Sequence, residues 1–199
     1  MTAPPSRWTD APDLDGDLVR LTRLRPDHAP DLVAAADADD IFAWTSFYRP
    51  TEVADADAMV AAHLARPAAA CWAQVDVARG VVAGVTTYYE VDPGTQSLAI
   101  GYTWLSQASW RTGVNTESKL LLLTRAFETL GAARVVWHVD VRNDRSVAAV
   151  ERLGATREGL LRKHRRRRDG SWRDTVQLAL IDDDWARVRE RLVGRLARG

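Results

Sequence analysis

The hydrophobic and polar positions in the first half of the chain predict one strand, two helices and then a block of strands. Alternation over residues 17–24 is typical of a half-buried strand. A helix is predicted over 26–36, since proline is favoured in a helix's first turn, and a second over 52–65, ending before Pro67. Three stretches rich in valine, threonine and aromatic residues then predict an antiparallel meander, at 71–77, 81–91 and 95–105.

The pattern becomes helical after Gly113. Four apolar residues recur at positions that share one helix face, namely Leu120, Leu123, Phe127 and Leu130. Gly131 stands where glycine commonly ends a helix. The nearly continuous apolar run 133–141 predicts a strand buried on both faces of a sheet.

The last third of the chain predicts a short helix, a hairpin and a final helix. The helix covers Asp144–Leu153, and two strands at Thr156–Arg166 and Trp172–Ile181 flank an Asp169-Gly170 turn. Residues 182–197 form a helix whose first three residues are aspartates, which suit its positive end. The order predicts a single α+β domain over residues 17–199, preceded by a flexible tail over residues 1–16.

Composition narrows the function classes. A chain of 199 residues is long enough for one well-buried domain. The formal net charge is zero, so the whole-molecule field does not favour nucleic acid or acidic membranes. The lone Cys71 excludes an internal disulfide, and the scattered histidines lack metal-ligand spacing, so no metal is predicted. No apolar run approaches the ~20 residues of a membrane span, and the first residues lack a signal pattern; we expect a cytoplasmic protein.

The loop at Trp110–Thr116 offers chemistry because it connects a strand to a helix start. The first N–H groups of a helix have no intrahelical partner, and the helix dipole adds positive charge there, so a diphosphate fits. Gly113 permits a backbone conformation and a close approach that a Cβ would block. Arg111 adds charge, and Thr112 and Thr116 add hydroxyls. The alternative is an ordinary strand-to-helix turn that happens to contain glycine.

The surrounding run IGYTWLSQASWRTGVNTESKLLLLTRAFETLGAARVVWHVDVRNDRSVAAVERLGA, residues 100–155, resembles the acetyl-CoA-binding core of GNAT-superfamily N-acetyltransferases. It is most similar to the Rim-type branch, the ribosomal-protein N-terminal acetyltransferases. The resemblance implies a mixed, mostly antiparallel sheet of about seven strands with splayed strands at the cofactor groove. It also implies transfer of an acetyl group from acetyl-CoA to a primary amine, either a protein N-terminus or a small amine.

By position, the resemblance also implies the roles of individual residues. The backbone of Trp104 and Leu105 binds pantetheine, and Asn143 and Ser146 face the thiol arm of the cofactor. The diphosphate is cradled by Arg111, Thr112, Gly113, Val114, Asn115 and Thr116. The chain departs from the family pattern at several positions. Trp110 replaces an arginine or glutamine, Asn115 a small residue, Val150 a tyrosine and Ala99 a glutamate.

The catalytic candidates each have a structural alternative. Ser146 is the candidate that protonates the leaving thiolate, with Asn143 beside it; both residue types also cap helices. His138 shares a strand face with Asp140 and is a candidate base, although a buried core histidine is the more common case. Glu90 is a further candidate base, or else a solvated edge carboxylate.

Three function classes remain open from the sequence. The main one is an acetyl-CoA-dependent N-acetyltransferase, with Trp44, Phe47 and Tyr48 as candidate walls of its acceptor site. The second is a non-catalytic acyl-CoA-binding regulatory module on the same fold. The third is an RNA-binding protein that uses the arginine-rich hairpin 162–170, for which a solvated hairpin is the favoured interpretation. The oligomeric state stays open between a monomer and a homodimer.

Overall fold

Eight strands form one sheet in the computed structural model, which describes residues 5–198. Numbered along the chain, they are β1 (Leu14–Asp15), β2 (Val19–Arg23), β3 (Ala70–Asp76), β4 (Val81–Asp92), β5 (Ser97–Leu105), β6 (Arg134–Asp140), β7 (Thr156–Arg166) and β8 (Trp172–Ile181). Their order across the sheet is β1-β2-β3-β4-β5-β6-β8-β7. Every neighbouring pair is antiparallel except β5 and β6, which are parallel.

Helices cover both faces of the sheet. They are α1 (Pro5–Trp8), α2 (Ala29–Ala35), α3 (Val53–Leu64), α4 (Val114–Thr124), α5 (Asp144–Leu153) and α6 (Asp182–Leu196). A π-helical segment, Arg125–Leu130, continues α4, and short 3-10 turns lie at Pro26–His28, Asp39–Ile41 and Gln107–Ser109. The α4 helix is the crossover between the parallel strands β5 and β6, which such strands require.

Two apolar clusters, one on each face, hold the layers together. On one face Trp72, Leu122 and Val188 pack in the cluster that joins the sheet to α4 and α6. On the other face Leu32 and Trp104 belong to the cluster under α2 and α3. Because both faces of β4 and β5 are covered, these strands are buried along most of their length.

The predicted boundaries are confirmed where local signals are strong. The bounds of α5, β7 and β8 coincide with the predicted ones. Gly131 and Gly154 end their helices in the left-handed conformation, with φ of 73° and 109°, which glycine adopts without a steric penalty. The single α+β domain with a mixed sheet is confirmed, with eight strands among the described residues where about seven were predicted, because the two-residue β1 carries no pattern of its own.

The flexible tail predicted over residues 1–16 is wrong for the part that the structure describes. Trp8 is completely buried in the core. The Arg125 guanidinium donates to the carbonyls of Arg7 and Asp10, and the Trp72 indole donates to the carbonyl of Pro12. These contacts fix the segment, since a buried tryptophan removes a large apolar surface from water. The first four residues of the predicted tail lie outside the described part of the chain.

Candidate active site

The parallel strands β5 and β6 separate in the middle of the sheet. They pair only where Ser97, Leu98 and Ala99 lie opposite residues 134–136. Beyond that point β5 stays on β4 as far as Leu105, while β6 stays on β8 as far as Asp140. Each strand therefore turns a backbone edge toward a gap, and the N–H and C=O groups on these edges need another partner. We call the gap between the two edges the splay.

A bulge in β5 lies beside the splay, at Tyr102. This residue has a φ of 51°, a left-handed conformation that is unfavourable for a residue with a side chain. The register with β4 shifts here, since Gly101 lies opposite Thr87 but Trp104 lies opposite Val85. A bulge redirects side chains and increases the strand twist. As a result the Tyr102 ring contacts residues of the α3 face.

The loop between β5 and α4 takes its unusual conformation at Arg111, not at Gly113. Arg111 is exposed and has a φ of 59°, whereas Gly113 has a φ of −68° and a ψ of −12°. The prediction that Gly113 supplies a special backbone conformation is therefore wrong, because any residue adopts those angles. Asn115 likewise lies in regular helix. The glycine is needed for space instead: a Cβ at Gly113 would overlap the side chain of Leu18.

Two amides of the first α4 turn point out of the helix end. The first bond of the helix runs from the Glu117 N–H to the Gly113 carbonyl, at 2.9 Å. The Val114 N–H is taken by the Thr112 hydroxyl at 3.3 Å, and this hydroxyl donates to the Ser109 carbonyl at 2.8 Å. The N–H groups of Asn115 and Thr116 precede any intrahelical acceptor, so they are available to bind an anion at the helix end.

Glu117 fixes the turn between β1 and β2 against this loop. Its buried carboxylate accepts the N–H groups of Asp17, Leu18 and Val19, at 3.1, 2.7 and 2.8 Å. Hydrogen bonds to an ionised acceptor are stronger than neutral ones. The three bonds hold Leu18 against Gly113, so the loop that precedes α4 is supported from outside.

Trp110 spans the splay near its open end. The Trp104 carbonyl accepts from Gln74 Nε2 at 3.3 Å, and the Ser106 N–H donates to the Ala83 carbonyl at 2.7 Å. Both groups therefore face the β3–β4 side of β5, away from the splay. Because the carbonyls of successive strand residues point to opposite edges, the Leu105 carbonyl faces the splay. There it accepts a hydrogen bond from the Trp110 indole at 2.9 Å. The Arg145 guanidinium of α5 lies 4.2 Å from the Trp110 ring centroid. Of the two predicted pantetheine-binding residues, Leu105 alone turns its carbonyl to the splay.

Asn143 and Ser146 lie at the start of α5, which follows β6. The Asn143 side chain accepts the Ser146 N–H at 3.1 Å, so the helix-capping role is present. Their contact with the thiol arm of a cofactor stays a prediction. Val150, one turn further on, is buried in the core, so α5 presents no tyrosine where the family pattern has one.

A group of aromatic and cationic side chains surrounds Tyr102 on the α3 face. The Arg66 guanidinium lies 3.5 Å from the Tyr102 ring centroid and 5.9 Å from that of Phe47. The His63 ring stacks on Phe47 with centroids 5.0 Å apart. Burial, together with the charge of Arg66, lowers the pKa of His63 to about 4, so its imidazole is neutral at pH 7.

The same group continues across the splay to β6 through Tyr89. The Tyr89 ring lies 4.9 Å from that of Tyr102, and its hydroxyl lies 3.0 Å from His138 Nδ1. A Glu90 oxygen lies 3.6 Å from the same nitrogen. Burial lowers the pKa of His138, and the charges of His164 and Arg165 add to this against the opposing effect of Glu90. A neutral imidazole beside a carboxylate is suited to accept a proton.

Arg165 of β7 closes the group. Its guanidinium donates to the Tyr102 hydroxyl at 3.1 Å and to Glu90 at 2.8 Å. We call these residues the Tyr102 cluster: Phe47, His63, Arg66, Tyr89, Glu90, Tyr102, His138 and Arg165. Phe47 is the one predicted acceptor-wall residue among them. Tyr48 is 75% exposed and stacks on Arg168, and Trp44 is exposed.

Asp140 is not the partner of His138, although the two share a strand. It makes two bonds to Arg167, at 2.7 and 3.0 Å, and accepts the Arg142 N–H. Burial alone would raise the pKa of Asp140, but these hydrogen bonds and the charge of Arg167 outweigh it and hold the pKa below its usual value. The acid that approaches His138 is Glu90.

Several arginines of the basic hairpin are engaged within the protein. Besides Arg165 and Arg167, the Arg168 guanidinium donates to the carbonyls of Phe42 and Phe47. Arg166 stacks on Trp172 at 3.6 Å. The contacts of Arg167 and Arg168 join the hairpin to neighbouring elements, and the Arg166 stack lies within the hairpin.

Lys119 of α4 is buried behind the bulge. It donates to the hydroxyls of Thr86 and Thr103, at 3.1 and 3.0 Å. Within residues 5–198 no carboxylate oxygen lies within 4 Å of it. Burial lowers its pKa to about 7, since a charged amine is poorly solvated there.

Most of the Tyr102 cluster could not be found from the sequence. Arg66 comes from the loop after α3, Tyr102 from β5 and Arg165 from β7, and no short-range pattern connects these segments. Trp110 departs from the family pattern, but its contact with Leu105 was not predicted. Lys119 had one available signal, because it is one of only two lysines in an arginine-rich chain.

The described part of the chain lacks two other classes of site. Among residues 5–198, no group of three or more histidine, cysteine, aspartate or glutamate side chains is placed to hold a metal ion. No helix in this part of the chain has the length and apolar character needed to cross a membrane.

Comparison with known proteins gives consistent matches. The family described as "Acetyltransferase (GNAT) domain" matches residues 19–156 of the chain. A Bacillus subtilis strain 168 protein named "Putative ribosomal N-acetyltransferase YdaF" is 30% identical over 111 residues, which are 53% of this chain and 57% of that protein. The chain therefore matches little more than half the length of this curated relative.

Solved structures match over most of their length, and two of them illustrate the similarity. One, titled as that of a "putative acetyltransferase" from T. thermophilus, is 35% identical with a TM-score of 0.85, covering 92% of this chain and 96% of that one. The other, a GCN5-related N-acetyltransferase from Brucella melitensis, is 26% identical with a TM-score of 0.88, covering 94% and 86%.

Proposed function

Because the chain belongs to the GNAT acetyltransferase family, whose acetyltransferases use acetyl-CoA, we propose that it transfers the acetyl group of acetyl-CoA directly to a primary amine within a ternary complex. The acceptor class is a protein N-terminus or a small amine. The observation that carries the proposal is the splay, which lies between a helix end with free amides and a cluster that contains a neutral imidazole. No other described feature combines an anion site, a free strand edge and a proton acceptor.

The cofactor is bound by backbone groups on two elements in this proposal. The diphosphate lies at the Asn115 and Thr116 amides, where the exposed Arg111 adds charge. The pantetheine pairs with the β5 edge at the Leu105 carbonyl, which requires the Trp110 indole to leave that carbonyl. The remaining residues of the predicted cradle, Thr112, Gly113 and Val114, shape the loop and the helix start.

The reaction forms one C–N bond and breaks one C–S bond. The neutral amine attacks the thioester carbonyl, an N–H group of the β5 edge stabilises the oxyanion, and collapse of the intermediate expels the thiolate. His138, directly or through water, takes the proton that the amine loses. Ser146 passes a proton to the thiolate and regains one from water, while His138 returns its proton to the solvent, so no net proton is gained or lost. Holding both reactants in one groove contributes much of the rate enhancement through positioning.

The acceptor panel assay tests the proposal. Purified protein is incubated with acetyl-CoA and a panel of peptides with free N-termini and small amines, while coenzyme A release and product mass are followed. We expect acetylated product with at least one acceptor, and loss of most activity in His138→Gln with coenzyme A affinity retained. Tight coenzyme A binding without turnover across the panel would favour the regulatory module instead. The cytoplasmic location and the oligomeric state stay predictions of the sequence.

A further inference from the structure

Positive charge exceeds negative charge in the Tyr102 cluster. Its arginines are Arg66 and Arg165, and its one carboxylate, Glu90, pairs with Arg165. Among the described residues, no carboxylate oxygen lies within 4 Å of the Arg66 guanidinium. The nearby imidazole of His63 is neutral and supplies no counter-charge.

Arg66 is only partly solvated. The residue is half-buried, its Nε is buried without a hydrogen-bond partner, and the centre of its guanidinium lies 3.5 Å from the Tyr102 ring centroid. Stacking on an aromatic ring is favourable for a guanidinium, but it does not neutralise the charge. A partly buried cation without a counter-ion is unfavourable, and an anion that binds there gains more than it would in water.

Arg168 shows the contrast with a structural arginine. It also stacks on a tyrosine and has no carboxylate partner within residues 5–198, but two of its nitrogens donate to the carbonyls of Phe42 and Phe47. Its hydrogen-bonding capacity is used to hold the loop before α3. Arg66 has no such bonds among the described contacts, so its fork is available for a bidentate partner.

The position of Arg66 places a bound anion close to the reacting amine. Tyr102 is the bulge residue at the edge of the splay, and His138 lies on the opposite edge, linked to Tyr102 through Tyr89. We consider an acceptor whose amine approaches His138 and whose chain extends over the Tyr102 ring. Its next groups lie beside the Arg66 guanidinium.

We propose that Arg66 selects acceptors that carry a carboxylate near the amine that is acetylated. This inference rests on the proposed function and names the acceptor class of the same site. Two sources supply such a group: a protein N-terminus with acidic residues at its second and third positions, or a small amino acid. The bidentate fork and the tyrosine face act on binding of the acceptor rather than on the chemical step.

Matched acceptors test the selection. The peptides are Ser-Glu-Glu-Gly, Ser-Gln-Gln-Gly and Ser-Lys-Lys-Gly amides with free amino groups, and the small pair is 4-aminobutyrate and butylamine. We expect kcat/KM to follow the order acidic, neutral, basic within the peptides, or to favour 4-aminobutyrate within the small pair. The series that shows the preference identifies the source of the carboxylate.

Variants of Arg66 assign the preference to this residue. Arg66→Met is expected to raise KM for the preferred acidic acceptor by about tenfold or more, because a hydrogen-bonded charge pair is lost, with kcat changed far less. Arg66→Lys retains part of the preference, and Arg66→Glu shifts it toward the lysine peptide. Arg187→Met, an exposed arginine that pairs with Asp184 on α6, is the control and keeps wild-type values.

Direct binding decides the inference independently of turnover. Calorimetric titration of the acidic peptide and of 4-aminobutyrate, with coenzyme A present, compares wild-type protein with Arg66→Met at equal thermal stability. Weaker binding of either acidic ligand in the variant supports the inference. Equal binding, or equal kcat/KM for acidic and neutral acceptors in the wild type, overturns it. Acetylation of the acidic and neutral acceptors at the same rate would contradict the selection by Arg66 but not the proposed acetyl transfer. Binding of the acidic ligands without any turnover would contradict the proposed acetyl transfer but not the selection.

Discussion

The contact between Trp110 and Leu105 makes a quantitative prediction about the cofactor groove. The Trp110 indole N–H donates to the Leu105 carbonyl, which turns toward the splay, at 2.9 Å. Pantetheine therefore competes with the indole for this acceptor. Trp110→Phe removes the donor and keeps an aromatic ring for Arg145. An intramolecular hydrogen bond contributes a net ~1 kcal/mol, which corresponds to roughly fivefold in Kd. We therefore expect coenzyme A to bind the variant roughly fivefold more tightly.

Isothermal titration calorimetry with two ligands measures this effect. Coenzyme A carries the pantetheine arm, and 3′,5′-ADP lacks it, so the gain is expected for coenzyme A and not for 3′,5′-ADP. Trp172→Phe, in the hairpin strand β8, is the matched control and leaves both affinities unchanged. Equal changes for the two ligands, or weaker coenzyme A binding in a folded Trp110→Phe, would refute competition at Leu105 and leave Trp110 as a structural support of the loop.

Three further predictions follow from single positions. Ser146→Ala lowers kcat and leaves the Kd of coenzyme A within about twofold, as expected for a proton donor that acts in the transition state; an unchanged kcat restricts Ser146 to the helix start. Gly84→Ala is expected to lower the free energy of unfolding in urea by about 3 kcal/mol or more. A Cβ at Gly84 would overlap the Trp104 carbonyl oxygen, and the φ of 153° is unfavourable for alanine. Gly159→Ala, which has open space around the new Cβ, is the control and is expected to be near neutral. Burial lowers the pKa of Lys119 from an ordinary 10.5 to about 7. Between these pH values the unfolded chain binds more protons than the folded one, so the free energy of unfolding rises with pH. Lys119→Met is expected to lose this rise, and an identical pH dependence of unfolding in both proteins would contradict a lysine that loses its charge on burial.

The sequence predicted the elements whose signals are local. The bounds of α5 follow from the Asn143 cap and from Gly154, and those of the β7–β8 hairpin from its Asp-Gly turn. The short β1 and the packing of Trp8 could not be predicted, because both depend on contacts with β2 and the core. A short terminal segment has no periodicity from which its burial can be inferred.

The candidate site was less predictable on its acceptor side, where the sequence indicated only Phe47, Glu90 and His138, than on its cofactor side. The loop and the start of α4 are contiguous in sequence, and the strand-to-helix pattern indicates an anion site there. The reason given for Gly113 was wrong, since the space is taken by Leu18 from a different element. The acceptor side joins Arg66, Tyr102, His138 and Arg165 from four elements, and a bulge at Tyr102 sets its direction. Such a bulge depends on strand register, which a single sequence does not reveal.

Initial-rate kinetics with both substrates varied test the central claim most directly. Direct transfer in the splay requires acetyl-CoA and the amine to be bound together, so double-reciprocal plots of coenzyme A release at several fixed amine concentrations are expected to intersect. The same runs are expected to give one acetylated product per coenzyme A released. Parallel lines, which indicate an acetylated enzyme intermediate, or coenzyme A release without acetylated amine, would contradict the account.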